Sequence, residues 1–369
     1  MSLFLSCGEA SGDGYASALL KALRREAGAI EAWGMVGPEA QAAGAEAFRS
    51  SHELSLFGFT EVLHALPRLL KLRKDLAEEV LRRRPRAVVL IDSPDFHLPL
   101  LRRLRKDGYG GPVVMIAPPT VWAWRRGRAD LLREGRALCL PLFGFEHRLF
   151  LSLAVRSAWV GHPLLETGLV PSAEPKGAAE RTVAFFPGSR HSEIRALMPV
   201  MAETAAALTG RGWQVRFSVA PGLSGASRED LLSHLGGQGW HEGPAAELLA
   251  ACHAAVAASG TVTVEALLQD RFTVVGYRLS PLTSFVGRRL CRLPHYAMPN
   301  ILAGEEIFPE LIQSRWTTEA VLKALARYDE DEAYRRGVHV LMASAREKEL
   351  GQRGASSFWA RAVLEALEQ

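Results

Sequence analysis

Cysteine is scarce in this 369-residue chain: Cys7, Cys139, Cys252 and Cys291, none at CxxC spacing. That excludes a disulfide framework and a cysteine zinc site, and it points to free thiols in a reducing compartment. The 11 histidines form no HxxH or HExxH pair, so no metal site is expected. A transmembrane helix needs about 20 apolar residues in a row. The nearest stretch, ALCLPLFGFEHRLFLSLAV (137–155), is broken by Pro141, Glu146, His147 and Arg148. The start lacks a basic leader and meets glycine and acid within nine residues, so no signal peptide is expected. Charge of one sign is missing too: Lys+Arg 44 against Asp+Glu 40 gives +4. That suits an anionic small ligand or membrane surface and is weak for a nucleic-acid partner.

What is present is a globular composition, 48% hydrophobic and 23% charged, in a chain too long for one ordinary core. Apolar runs alternate with amphipathic stretches such as Tyr15–Arg25 and 61–84. The first-half runs are LFLS (3–6), AWGMVG (32–37), AVVLID (87–92), PVVMIA (112–117), ALCLPLF (137–143) and SAWVGH (157–162). After a Pro/Gly/Ala-rich linker (167–181) come TVAFFPG (182–188), WQVRFSVAPG (213–222), AAVAASG (254–260) and FTVVGYR (272–278). This pattern predicts two doubly wound α/β domains, 1–168 and 180–345, with parallel sheets covered on both faces.

In such sheets ligands gather just beyond the strands' carboxyl ends. FFPGSRHSEIR (185–195) puts Gly188, Ser189 and Arg190 between strand and helix. Gly188 admits a ligand to the backbone, the helix start favours an anion, and Arg190 offers a fork for phosphate oxygens. An ordinary turn with a surface arginine would read the same. VAASGTVTVEAL (256–267) repeats the device with Ser259, Gly260 and Thr261, and sets Glu265 one turn in. A carboxylate there either accepts hydrogen bonds from a ribose diol or simply complements the helix dipole. The pair suggests a nucleotide diphosphate-sugar; no GxGxxG opens either half, which argues against NAD.

AVVLIDSPDFH (87–97) delivers Asp92 to a strand end and Asp95 to the loop beyond. One carboxylate can take a proton while the other orients it; Asp95 is the expected base and Asp92 the alternative. PPTVWAWRRGR (118–128) is either a sugar-stacking, anion-holding loop or two core tryptophans, Trp122 and Trp124, ahead of solvated arginines. His162 contacts a ligand or caps a turn, and Asn300 contacts a ligand or N-caps a helix. Asp329-Glu330-Asp331 spells a DxD tripeptide but follows a helix, so it reads as a surface charge run. Segments 63–76 and 282–296 mix Leu/Phe faces with clustered Arg/Lys, as interfacial helices do and as ordinary core helices do. The opening loop, CGEASGDG (7–14), is acidic where a phosphate cradle should not be.

Taken in order over residues 3–315, GEASGD (8–13), IDSPDF (91–96), VWAWRRGR (121–128), VGHPLLE (160–166), FFPGSRHSEIR (185–195), ASGTVTVEAL (258–267) and MPNILAGEEIFPELIQ (298–313) closely resemble the lipid-A-disaccharide synthase family. The resemblance implies an α/β GT-B fold, two Rossmann-like domains facing across a cleft, with the C-terminal helix (352–369) completing the first. It implies transfer of diacylglucosamine from UDP-2,3-diacylglucosamine to the 6-hydroxyl of 2,3-diacylglucosamine 1-phosphate, with inversion and with neither metal nor cofactor. The enzyme would work peripherally on the inner membrane of a bacterial cytoplasm, as monomer or homodimer. Asp95 and Arg190 would be catalytic. Gly188, Ser189, Arg190, Ser259, Gly260, Thr261, Glu265 and Asn300 would hold the UDP-sugar. Glu9, Ser11, Gly12, Asp13, Trp122, Arg125 and His162 would lie on the acceptor side, with Glu9 and Asp13 either binding sugar or holding their loop. Thr120 stands where the family often has serine, and Ala297-Met298 where it has Ser-Leu, which bears on acceptor detail. The rival enzyme is another UDP-sugar user of this fold, such as a UDP-N-acetylglucosamine 2-epimerase; a catalytically silent binding protein is the rival of another class.

Overall fold

The computed structural model describes residues 2–8, 10–55, 62–171, 181–220, 223, 225–278 and 293–368. The chain divides into two compact units, Met1–Glu166 with Leu350–Gln369, and Thr167–Glu349.

The first unit is built on a parallel sheet of β1 (Ser2–Cys7), β2 (Glu31–Val36), β3 (Glu46–Ser50), β4 (Ala87–Ile91), β5 (Val113–Ile116) and β6 (Ala137–Leu140). Their order is β3-β2-β1-β4-β5-β6. Alternate β1 side chains go to opposite cores. Leu3, Leu5 and Cys7 meet the Ala10–Ala27 and Ala355–Glu368 helices, while Phe4 joins Trp33, Leu72 and Leu76. Because both faces are covered, the strands read as unbroken apolar runs.

The chain returns to this unit at its end. His162 N–H donates to Leu350 O at 2.8 Å, Gln352 N–H to Val160 O at 2.9 Å, and Ser356 N–H to Glu166 Oε1 at 2.8 Å. The last helix then buries Trp359, edge-on to Tyr15 at 5.8 Å.

The second unit repeats the plan with β7 (Thr182–Phe186), β8 (Gln214–Val219), β9 (Gly239–Glu242), β10 (Ala254–Ala258), β11 (Thr273–Tyr277) and β12 (Glu310–Ile312). The order β12-β11-β10-β7-β8-β9 matches the first sheet strand for strand. Each sheet therefore reverses direction between its own first and fourth strands, where a doubly wound sheet opens its crevice.

Three strands, β3, β9 and β12, are absent from the sequence expectation, and all three are sheet edges. Their sequences, EAFRS, GWHE and ELI, are short or polar, as edges that must not recruit another chain tend to be. SAWVGH is a correction in the other direction: it forms only isolated bridges, Cys139 to Ser157 and Gly161 to Gly351. Among the described residues no helix is long and apolar enough to cross a membrane.

Candidate active site

In the second unit β7 and β10 are neighbours, with Phe186 opposite Ala257, so the loops after them lie side by side. Gly188 takes φ +100, and a Cβ there would fall 2.4 Å from Glu193 Oε2. Arg190 ends the loop and starts the His191–Thr209 helix with its side chain 67% exposed, paired to Glu193 at 3.2 Å. Glu193 also accepts the Arg190 N–H, at 3.4 Å. After β10, Gly260 leads into the Thr261–Leu268 helix with no atom within 4 Å of where a Cβ would sit. The Thr263 hydroxyl donates to Gly260 O at 2.7 Å and fixes the turn. Glu265 is half-buried one turn in, and burial pushes its carboxyl above the usual range. At the end of β11, burial first and then the Glu193 charge push the Tyr277 hydroxyl up, with Arg190 opposing. Six candidates, Gly188, Ser189, Arg190, Ser259, Gly260 and Thr261, thus share one edge, with Ser189, Gly260 and Thr261 open to solvent.

The matching edge of the first unit is built differently. β1 and β4 are neighbours, with Cys7 opposite Ile91, and Asp92 follows with φ +55. Its Oδ1 accepts the Gly8 N–H at 3.2 Å. A Cβ on Gly12 would fall 2.1 Å from its Oδ2. The protein's own carboxylate therefore lies across the start of the Ala10–Ala27 helix, where a phosphate would otherwise be favoured. His97 holds that turn. The Asp92 carbonyl can only accept, so His97 Nδ1–H donates to it at 2.8 Å and Nε2 accepts from Ser6 Oγ at 2.8 Å. Burial keeps the imidazole neutral, down to about 4.

Asp13 answers why the opening loop is acidic. It is 4% exposed. Its Oδ1 accepts from Gly37 N–H at 2.9 Å and Ala40 N–H at 3.1 Å, and its Oδ2 from Glu39 N–H at 2.8 Å. It caps the short Pro38–Ala42 helix from another element, which holds the loop. Ser11 is exposed, Gly12 is buried, and Glu9 lies outside the described residues.

Asp95 sits in the first turn of the Pro94–Lys106 helix, 65% exposed. Its Oδ1 accepts from Arg125 Nη1 at 2.8 Å and also from the nearly buried Arg128. Both guanidiniums lie over Trp124, 4.2 and 5.0 Å from the ring centroid. Trp122 donates its indole N–H to Glu146 Oε1 at 2.9 Å.

Two candidates are corrected. Asn300 is fully buried. Its amide donates to Phe308 O and Glu310 Oε1, and accepts from Ile307 and Phe308 N–H. All four hydrogen-bond positions are filled, so it has none for a ligand, and the cap of its helix is Ala297. His162 is 3% exposed against Phe143, accepts from Leu164 N–H at 3.1 Å, and is kept neutral by burial down to about 3. It packs a turn. Asp329 of the DxD tripeptide is no surface charge either: it pairs with Arg181 at 3.1 Å while 11% exposed. Among the described residues no group of His, Cys, Asp or Glu could hold a metal ion. Sequence reasoning did not assign the parts of Arg128, Glu146 and His97; Glu146, a lone acid in an apolar run, carried a signal.

The lipid-A-disaccharide synthetase family model matches residues 3–360. The lipid-A-disaccharide synthase of Myxococcus xanthus is 37% identical over 99% of this chain and 97% of its own length. That of Pseudomonas paraeruginosa is 40% identical over 87% and 88%. Among solved structures, the UDP-GlcNAc 2-epimerase of Neisseria meningitidis, bound to UDP-GlcNAc, covers all of both chains with TM-score 0.62 at 10% identity. A calicheamicin glycosyltransferase covers 100% and 98% with TM-score 0.60 at 15% identity. At such identities these two speak for the fold, that of GT-B glycosyltransferases and related epimerases. The chain belongs to the lipid-A-disaccharide synthase family.

Proposed function

We propose that the β7/β10 edge holds the UDP of the donor and that Asp95 is the base of the transfer. The enzyme is a glycosyltransferase. It moves 2,3-diacylglucosamine from UDP-2,3-diacylglucosamine to the 6-hydroxyl of 2,3-diacylglucosamine 1-phosphate, giving the β-1,6 disaccharide 1-phosphate and UDP. The observation that carries the assignment is the contrast between the two switch points. In the first unit the position is filled by Asp92, and in the second Gly260 stands open after β10, the neighbour of the strand that leads to Arg190. Only the second suits a diphosphate.

Asp95 takes the proton of the acceptor 6-hydroxyl through the oxygen not committed to the arginines. The hydroxyl oxygen attacks the donor's anomeric carbon opposite UDP, the bond to the diphosphate breaks, and the configuration inverts. The charge on departing UDP is met by Arg190 and by the backbone N–H groups at the start of the Thr261–Leu268 helix, the work a divalent ion does elsewhere. Glu265 receives the ribose hydroxyls. Asp92 and His97 hold the turn that presents Asp95.

Both substrates carry acyl chains, so the enzyme works at the cytoplasmic membrane surface. The Val62–Arg83 helix supports this: Leu66 is 47% and Leu70 45% exposed, in a segment with Arg68, Lys71 and Lys74. Segment 282–296 lies mostly outside the described residues. The test is disaccharide formation in mixed micelles containing EDTA, with and without the acceptor. Acceptor-dependent disaccharide supports the reading. UDP-sugar turnover without acceptor would move the function to an epimerase-type reaction.

A further inference from the structure

Glu146 has no part in the reaction above, yet it is a carboxylate at the ligand edge of the first sheet, 5% exposed. It lies in the first turn of the Gly144–Ser152 helix, where the backbone of Phe143 and Leu142 draws its pKa down against burial. That local duty explains a glutamate in a first turn. It does not explain one withdrawn from water, where a carboxylate is costly unless its oxygens are bonded. The side-chain partner comes from a different loop, 24 residues away: Trp122 Nε1–H, at 2.9 Å.

The same indole is also braced by a ring. It packs edge-on against Phe145 at 5.4 Å, Phe145 stacks with Phe143 at 6.2 Å, and Phe143 lies against buried His162 at 5.0 Å. Trp122 itself stays half-buried, in the loop whose Arg125 and Arg128 grip Asp95. A large ring fixed by one hydrogen bond and an aromatic row is built to present a flat face.

We propose that Glu146 is a positioning residue that fixes the Trp122 indole, through its N–H, as the platform on which the acceptor sugar stacks. This rests on the reading of the first unit as the acceptor side. Burial holds the carboxyl up, at about 7, against hydrogen bonds that lower it, so near neutrality it is partly protonated and a glutamine can stand in for it.

The test is steady-state kinetics with each substrate varied in turn. Glu146→Leu keeps the volume and leaves the indole N–H without an acceptor; Trp122→Phe keeps a ring and removes the N–H. Each should raise the acceptor KM about tenfold, with the donor KM unchanged. Glu146→Gln should stay within about twofold of wild type, and the double variant Glu146→Leu/Trp122→Phe should be no worse than Trp122→Phe, because the two act as one. An unchanged acceptor KM in Glu146→Leu, multiplying effects in the double variant, or a glutamine variant as poor as the leucine one would each overturn the proposal. Trp122→Phe carries the test if Glu146→Leu does not fold. Trp122→Ala separates the two layers. If it leaves the acceptor KM untouched, the acceptor-side reading fails. If it raises that KM while Glu146→Leu does not, only the positioning role fails.

Discussion

Arg128 is a nearly buried cation whose partner Asp95 faces water: their side chains are 9% and 65% exposed. Burial pulls the guanidinium's pKa down and Asp95 pulls it back up. The rigid member therefore aims the accessible one. Arg128→Met should lower kcat about 10- to 100-fold by freeing the Asp95 rotamer, with UDP affinity unchanged. Unaltered kcat in a folded Arg128→Met protein would show that Asp95 needs no such support.

Asp13 makes a different demand. Three backbone N–H groups converge on it at 2.8–3.1 Å. Removing the carboxylate leaves buried donors unpaired, at about 1–3 kcal/mol each. Asp13→Ala should therefore destabilise the first unit by about 3 kcal/mol or more, seen as a lower denaturation midpoint. If Asp13 served the sugar instead, the variant would lose activity at wild-type stability.

Buried groups set opposing pH limits on stability. The Glu146 carboxyl rises from 4.5 to about 7 on folding, so the unfolded chain sheds a proton that the folded one keeps. Stability falls as pH climbs through that window, by about 3 kcal/mol in all. His97 and His162 drop from 6.5 to about 4 and about 3, so the unfolded chain takes up protons that the folded one refuses. Their effect is stability lost as pH falls below 6.5. Glu146→Gln should remove the first decline and leave the acid limb as it was. Denaturant unfolding from pH 4 to 8 checks this, and a Gln variant that kept the rise-with-pH loss would contradict the assignment.

Strands buried on both faces were legible, because covering both sides of a sheet leaves no polar alternation to confuse with a helix. The edge strands β3, β9 and β12 were not, because their short or polar sequences read as loop, whereas the edge strand β6 is mostly buried and was legible. The turns after β7 and β10 were legible for the same reason as the central strands: each strand is an apolar run followed by small residues and a helix. Roles that depend on distant partners were hidden. Asp13, Asn300 and His162 are polar residues in distinctive motifs, and nothing in the sequence tells that Gly37, Phe308 or Phe143 lies beside them. Asp95 could be named as a candidate base, but not its two arginines.

Arg190 separates geometry from charge alone. A lysine retains the positive charge and loses the planar fork, so Arg190→Lys should recover little of what Arg190→Ala loses, with both weakening UDP binding. Equal UDP affinity in Arg190→Lys and wild type would reduce Arg190 to a point charge.

The measurement that bears most directly on the account pairs calorimetric UDP binding with disaccharide formation in Asp95→Ala. The account predicts wild-type UDP affinity together with a rate lowered about 10²- to 10⁴-fold, since the base acts on the acceptor and not on the nucleotide. Disaccharide formed at the wild-type rate, or UDP affinity lost with the rate, would contradict the division of labour between the two units.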